Sequence, residues 1–344
     1  MSRRSATLLV AAAGVLIALG VAEAAPVPFV ALTPGPTLNT LGSLSGKPLI
    51  QIKNHPTFPA RGHLNMVTVS FIGGPRSHFN VFQALRSWLN PDEAVVPEQE
   101  IFAPGQTPQQ VAKQDIEEMA NSQQAATVAA FCQLKISFKT VDTVRGTAKG
   151  MPAAGVLQPG DVIAAVDGKP VSACGADAGT LIKARKPGAP VRLTVLRHGR
   201  TEQVRLNTVS LQGQPAVGVQ LVQSFVFPFP VSISVGNIGG PSAGLMFALG
   251  IIDKITPDNL TGGRFIAGTG VIETDGAVDP IGGIQQKIVG ARNAGATIFL
   301  TPAANCPQTA RAVPAGLRLI KVSSLAGAVA ALDALKAGRP VPTC

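Results

Sequence analysis

Two short stretches of this 344-residue chain carry side chains whose type and context suit hydrolytic chemistry. The first is Gly236-Asn237-Ile238-Gly239-Gly240-Pro241-Ser242-Ala243-Gly244, which follows the alternating run 231–235 and precedes the apolar stretch 245–252. That order predicts strand, glycine-rich bend and helix, with Ser242 at the N-terminal end of the helix. Backbone N–H groups of Gly239, Gly240, Ser242 and Ala243 then lie where unpaired donors and the positive end of a helix dipole can hold an oxyanion. The plainer alternative is that Ser242 caps the helix. The second stretch is Gly282-Gly283-Ile284-Gln285-Gln286-Lys287-Ile288-Val289-Gly290-Ala291. As a helix it places Ile284, Lys287, Ile288 and Ala291 at i, i+3, i+4 and i+7, so Lys287 stands at the edge of the apolar stripe. A lysine there either snorkels to water or, if desolvated, stays neutral and can act as general base toward a serine hydroxyl. His55, His63, His78 and His198 all precede Gly236, so no local pattern supports a serine–histidine triad and the lysine is the local base.

The elements that must position these residues can be read around them. Pro26, Pro28, Pro34 and Pro36 predict an extended tether, with the first folded unit beginning near residue 30. The segment 63–72 alternates and is rich in β-branched residues, which predicts a strand ending at Gly73-Gly74-Pro75. A short helix is expected over 81–89, and Thr107-Pro108 opens a longer one reaching about Phe131.

From about 134 to 208 the pattern is strand, turn, strand, helix, strand, turn, strand. Its centre, Met151-Pro152-Ala153-Ala154-Gly155-Val156-Leu157-Gln158-Pro159-Gly160-Asp161-Val162-Ile163 and then Val166-Asp167-Gly168-Lys169-Pro170-Val171, resembles the bacterial PDZ signature. Pro159-Gly160-Asp161 and Asp167-Gly168 supply tight turns. The resemblance implies a module that binds a peptide segment by strand addition, with 135–139 and the helix at 178–184 as the expected walls. No GLGF-like carboxylate loop is present, which leaves recognition of a free C-terminus open.

GGPSAGL, followed by IAGTGVIETDGAVDPIGGIQQKIVGARNAGATIFLTP, resembles the proteolytic domain of Lon peptidases. The whole layout is similar to the PDZ-linked, membrane-anchored Lon-like peptidases of bacteria. That resemblance implies Ser242 as nucleophile, Lys287 as general base, and Thr269 as the hydroxyl that helps hold the lysine. ATP-dependent Lon proteins carry an acidic residue three positions before the serine, where this chain has Gly239. Asp279 stands where glycine is frequent in the PDZ-linked relatives; pointing inward it would raise the lysine pKa, and in a turn it would be solvated. The helix at 109–131 is also similar to an early helix of the Lon domain. The expected fold class is α+β: an N-terminal transmembrane or signal helix (1–25), an N-terminal portion of the peptidase domain (30–132), a PDZ-like module (133–208) and the Lon-type proteolytic domain (209–338). Three consecutive units with an independent first domain are the rival layout.

The totals bound the partners. With 46% hydrophobic and 14% charged residues the chain is globular in composition. The net charge of +10 is scattered, and one Trp with no Tyr offers little for base stacking, which argues against nucleic acid. An uncharged run, 5–22, follows Arg3 and Arg4, so the domains are expected outside the cytoplasm, with basic residues facing anionic lipid. Ala22-Glu23-Ala24 also fits a signal-peptidase site, after which the protein would be secreted. Export permits disulfides; Cys132, Cys174, Cys306 and Cys344 allow three complete pairings, with Cys306–Cys344 favoured. No metal-ligand spacing is present, and Gly42-Ser43-Leu44-Ser45-Gly46-Lys47-Pro48 breaks the phosphate-loop pattern, so neither metal nor nucleotide cofactor is expected. The reading is an ATP-independent extracytoplasmic serine endopeptidase acting on flexible or unfolded exported polypeptides, compatible with a homo-oligomer. A catalytically idle PDZ adaptor at the membrane is the competing class.

Overall fold

The computed structural model describes residues 3–309 and 313–344. In chain order it comprises α1 (Arg3–Ala24), β1 (Phe29–Asn39), β2 (His63–Gly73), α2 (Val81–Leu89), β3 (Ala94–Pro97) and α3 (Pro108–Gln133). There follow β4 (Lys139–Thr147), β5 (Val162–Val166), α4 (Ala178–Lys183), β6 (Pro190–Arg197), β7 (Arg200–Asn207) and β8 (Val219–Val226). The chain then forms α5 (Gly244–Ile255), β9 (Phe265–Gly268), α6 (Ile284–Asn293), β10 (Ile298–Pro302), β11 (Arg318–Val322) and α7 (Leu325–Lys336).

One six-stranded sheet joins residues from both ends of this order: β11-β10-β9-β2-β1-β3. The strands from β11 to β2 run parallel, and β1 is antiparallel to β2 and β3. On one face α3, α5 and α7 bury Met119, Phe131, Met246, Phe247 and Leu332 in a common apolar core. On the other, α6 closes a smaller core through Ile284, Ile288 and Phe299. Such parallel strands need both faces covered, and β10, buried at every position, reads as the continuous apolar run that this demands.

The tether expected over the prolines is partly overturned. Pro34 and Pro36 lie inside β1, where the register with β2 shifts between Pro34 and Thr37. A proline lacks the N–H that a ladder requires, so it is accommodated at such an irregularity. Gly35 sits between them with no room for a side chain, since a Cβ there would lie 2.4 Å from Thr68 Oγ1.

Helix starts follow local chemistry. Thr107 accepts from Gln110 N–H at 3.2 Å while Gln110 Oε1 accepts from Thr107 N–H at 2.8 Å, with Pro108 at the first helical position of α3. Asn80 and Gln83 make the same reciprocal cap on α2.

The second sheet, β7-β6-β5-β4-β8, encloses its own core of Val144, Ile163, Leu193 and Val195. Asp167 at φ 50° and Gly168 at φ 80° form the tight turn expected there. Residues 135–138 are not strand, and β4 begins at Lys139. One edge of β4 is paired along its length by β8, which lies beyond residue 208, so the expected wall at 135–139 offers no free strand on that side. Arg197 grips Asp161 through two bonds of 2.8 and 2.7 Å, tying β6 to the turn before β5.

Both cysteine pairs are joined. Cys306–Cys344 is formed as favoured, and it holds the last residues beside β11, where Lys321 N–H donates to Pro342 O at 3.0 Å. Cys132–Cys174 links the end of α3 to the loop before α4, and thus the two sheets' units to each other.

Candidate active site

Three elements converge on Ser242. The chain leaves the short strand Val231–Ile233, which pairs with Ile50–Ile52, and bends through the glycines to reach α5. Ala243, not Ser242, is the N-cap of α5, and no side chain caps it. The capping alternative is thereby removed, and the serine hydroxyl is left to face α6. Lys287, on the first turn of α6, reaches across with Nζ 2.7 Å from Ser242 Oγ. Thr269 follows β9 directly, and its Oγ1 lies 3.1 Å from the same Nζ.

Lys287 is only 3% exposed. Burial alone pulls its pKa from 10.5 to about 7, so at neutral pH a large share of the amine is uncharged. Asp279 is exposed and does not contribute to that shift. Thr269 Oγ1 donates to Ser242 O at 2.9 Å and so presents a lone pair to a lysine N–H. The neutral amine's own lone pair then remains for the Ser242 hydroxyl proton.

The loop carrying Ser242 is fixed from behind. Gly270 N–H donates to Ser242 O at 2.8 Å, and Ser122 Oγ on α3 donates to Pro241 O at 2.9 Å. A Cβ on Gly244 would lie 2.5 Å from Ile272 Cγ2, which requires glycine at that step. Gly240 N–H donates to Asp115 O at 3.2 Å, so this amide is engaged in the described conformation rather than presented to a substrate. A Cβ on Gly239 would lie 2.3 Å from Asp115 Cβ. Glycine at this position therefore lets α3 close against the loop, and Asp115 brings a carboxylate alongside it.

A cleft of about 890 Å³ opens over Ser242 and Lys287. Phe71, Phe102, Ile238 and Val271 give it an apolar lining, and the Arg76–Asp115 pair at 2.7 Å stands at its wall. Asp115, Ser122 and Arg76 were not singled out from the sequence. The available signal was the spacing of Asp115, Met119 and Ser122 at i, i+4 and i+7, which puts two polar groups on the buried face of α3. Among the described residues no group of three or more His, Cys, Asp or Glu side chains is arranged to hold a metal ion.

Residues 233–331 match the C-terminal proteolytic domain of Lon protease (S16), and residues 109–208 match the PDZ domain. The second match begins inside α3, although α3 packs into the first core rather than the second. Lon protease 2 of Herpetosiphon aurantiacus is 46% identical over 66 residues, 19% of this chain and 8% of that protein. Lon protease of Roseiflexus castenholzii is 40% identical over 68 residues, 20% of this chain and 8% of its own length. The aligned part of the chain thus spans less than a tenth of these curated relatives. Among solved structures, the PDZ domain of the SdrC-like protein from Listeria innocua is 23% identical, covering 24% of this chain and 92% of its own, with a TM-score of 0.22. That of the Listeria monocytogenes protein is 25% identical, with coverages of 25% and 92% and a TM-score of 0.22. A PDZ domain, a Lon-type proteolytic domain and an N-terminal apolar helix together fit a PDZ-linked, membrane Lon-like peptidase.

Proposed function

We propose that the protein is an ATP-independent serine endopeptidase in which Ser242 and Lys287 form the catalytic dyad. The observation that carries this reading is the 2.7 Å approach of a buried lysine, with its pKa lowered to about 7, to the serine hydroxyl. Neutral Lys287 takes the hydroxyl proton as Ser242 Oγ attacks a peptide carbonyl. Backbone N–H groups of the serine loop and the start of α5 hold the developing oxyanion, with Gly239, Ser242 and Ala243 the candidates while Gly240 is engaged with Asp115. The protonated lysine gives that proton to the leaving amine; Lys287, neutral again, then takes a proton from the water that attacks the acyl-enzyme carbonyl and passes it to Ser242 Oγ as the ester bond breaks. Thr269 positions the lysine through its 3.1 Å contact.

The peptidase domain in this proposal is discontinuous, formed by residues 30–132 and the chain beyond the PDZ unit. The single sheet that interleaves β1 and β2 with β9, β10 and β11 supports it. Two disulfides and the basic pair Arg3-Arg4 at the start of α1 support an extracytoplasmic location. Segment 42–48 forms a tight hairpin in which Ser43–Leu44 pairs with Lys47–Pro48. Substrates are then flexible or already unfolded polypeptides, with the PDZ unit binding peptide segments.

The test is cleavage of an unfolded, fluorescently labelled polypeptide without ATP by the full chain, by Ser242→Ala and by Lys287→Ala. The proposal expects cleavage by the native chain and loss in both folded variants. Equal behaviour of all three would transfer the function to a PDZ adaptor.

A further inference from the structure

Helix α2 has the polarity of a surface helix turned inside out. Val81, Phe82, Leu85, Trp88 and Leu89 fall within an arc of about 120° on a helix of 3.6 residues per turn. All five are exposed, Trp88 at 71% and Leu89 at 68%, and Ser87 is the buried residue of the helix. A helix packed on a water-soluble core buries such a stripe; a contiguous apolar face left outward marks an interaction surface.

The position of α2 identifies what covers that face. Asn80 Nδ2 donates to Glu23 O at 3.1 Å, Asn80 pairs with Pro26 in a β-bridge, and Val27 N–H donates to Phe79 O at 2.8 Å. The start of α2 is therefore fastened to the end of α1. Residues 7–24 of α1 have a mean hydropathy of 2.1, with Glu23 near the end as their one charged residue, and are 0% buried. Those 18 residues rise about 27 Å, close to the thickness of a bilayer's hydrocarbon core, which sets the end of α1 and with it α2 at headgroup level. Tryptophan is favoured at that level, and Arg86 flanks the apolar arc where a snorkelling cation meets phosphates.

We propose that α2 is an interfacial helix that seats Val81, Phe82, Leu85, Trp88 and Leu89 in the headgroup layer of the membrane carrying α1. This rests on α1 being a retained anchor, and its consequence for substrates rests on the peptidase reading above. Arg76, on the wall of the catalytic cleft, is four residues from Asn80 and so at most about 14 Å along the chain. The mouth of the cleft is thereby held near the lipid surface, and the favoured substrates are juxtamembrane segments of membrane proteins over freely diffusing chains.

Trp88 is the sole tryptophan, so its emission reports α2 alone. The full chain is reconstituted into vesicles of mixed zwitterionic and anionic phospholipid, with or without brominated acyl chains. Brominated lipid is expected to reduce Trp88 emission about twofold or more and the bilayer to shield it from aqueous iodide. Trp88 open to iodide, or shielded from iodide yet untouched by bromine, as when a second copy covers α2, would overturn the proposal. A mature chain that begins after Ala24 would do so as well. The variant Leu85→Glu/Leu89→Glu, altered only at exposed positions, is expected to lose the lipid quenching and to keep cleavage of an unfolded substrate in solution. Cleavage of the same sequence tethered to the vesicle by a spanning helix should fall about fivefold or more. Equal loss on both substrates would overturn the cleft-positioning consequence. Bromine quenching in a native chain that cleaves neither substrate would uphold the lipid contact and sink the peptidase reading instead.

Discussion

Replacing Lys287 by methionine should abolish cleavage and at the same time make the protein more stable, by an amount that depends on pH. The lysine binds its proton below 10.5 when unfolded and only below about 7 when buried beside Ser242. Between those pH values the unfolded chain holds more protons, so the native protein gains stability as pH rises, and the full penalty is present below pH 7. The linkage amounts to about 4 kcal/mol at pH 7 and about 1 kcal/mol at pH 9.5. Methionine matches the stem and carries no charge to desolvate, while losing the contact to Thr269 offsets about 1 kcal/mol at either pH. Both proteins should carry Ser242→Ala so that self-cleavage does not intrude. Scanning calorimetry is then expected to show the methionine variant melting about 6–12 °C higher at pH 7 and within about 2 °C at pH 9.5. A difference that stays constant across this range, or that has the opposite sign at pH 7, would refute the burial argument for a neutral lysine.

Thr269→Val removes the hydroxyl that bridges Lys287 Nζ and Ser242 O, and two lost bonds of about 1 kcal/mol each predict a fall in kcat of about 30-fold with KM little changed. Thr269→Ser should restore most of it. Gly239→Ala drives a Cβ to 2.3 Å from Asp115 Cβ, so the serine loop must shift, and a loss of about 100-fold in kcat/KM is expected, relieved in part by a second change, Asp115→Gly. Peptide-hydrolysis kinetics on folded variants, checked by circular dichroism, decide both. Cys306→Ser/Cys344→Ser opens a loop with a sequence separation of 38, for which chain entropy predicts a loss of about 4 kcal/mol and a clearly lower melting midpoint.

Much of the site was legible because it depends on local chemistry. The helix stripe through Ile284, Lys287, Ile288 and Ala291 gave α6, the glycine-rich bend gave the turn into α5, and the capped segments 81–89 and 108–133 emerged within two residues of their expected bounds. What was not legible depends on pairing across the chain. Nothing local announces that β1, despite its two prolines, joins β2 and lies in one sheet with strands some 230 residues later. Strand β8 alternates at every position, yet its partner β4 lies on the far side of the whole PDZ unit. Asp115 and Ser122 read as ordinary helix residues until α3 is packed against the serine loop. The outward face of α2 is likewise invisible to periodicity, which shows that a stripe exists and not which way it points.

The central claim is that Ser242 is a nucleophile made reactive by a neutral Lys287. A peptide-like β-lactone added to the full chain, followed by intact-mass and fragment-ion measurement across pH, tests it most directly. The account predicts one adduct, on Ser242, formed at a rate that rises with pH through an apparent pKa of about 7 and that is lost in Ser242→Ala and Lys287→Ala. Acylation of another residue, or an undiminished rate on Ser242 in Lys287→Ala, would contradict it.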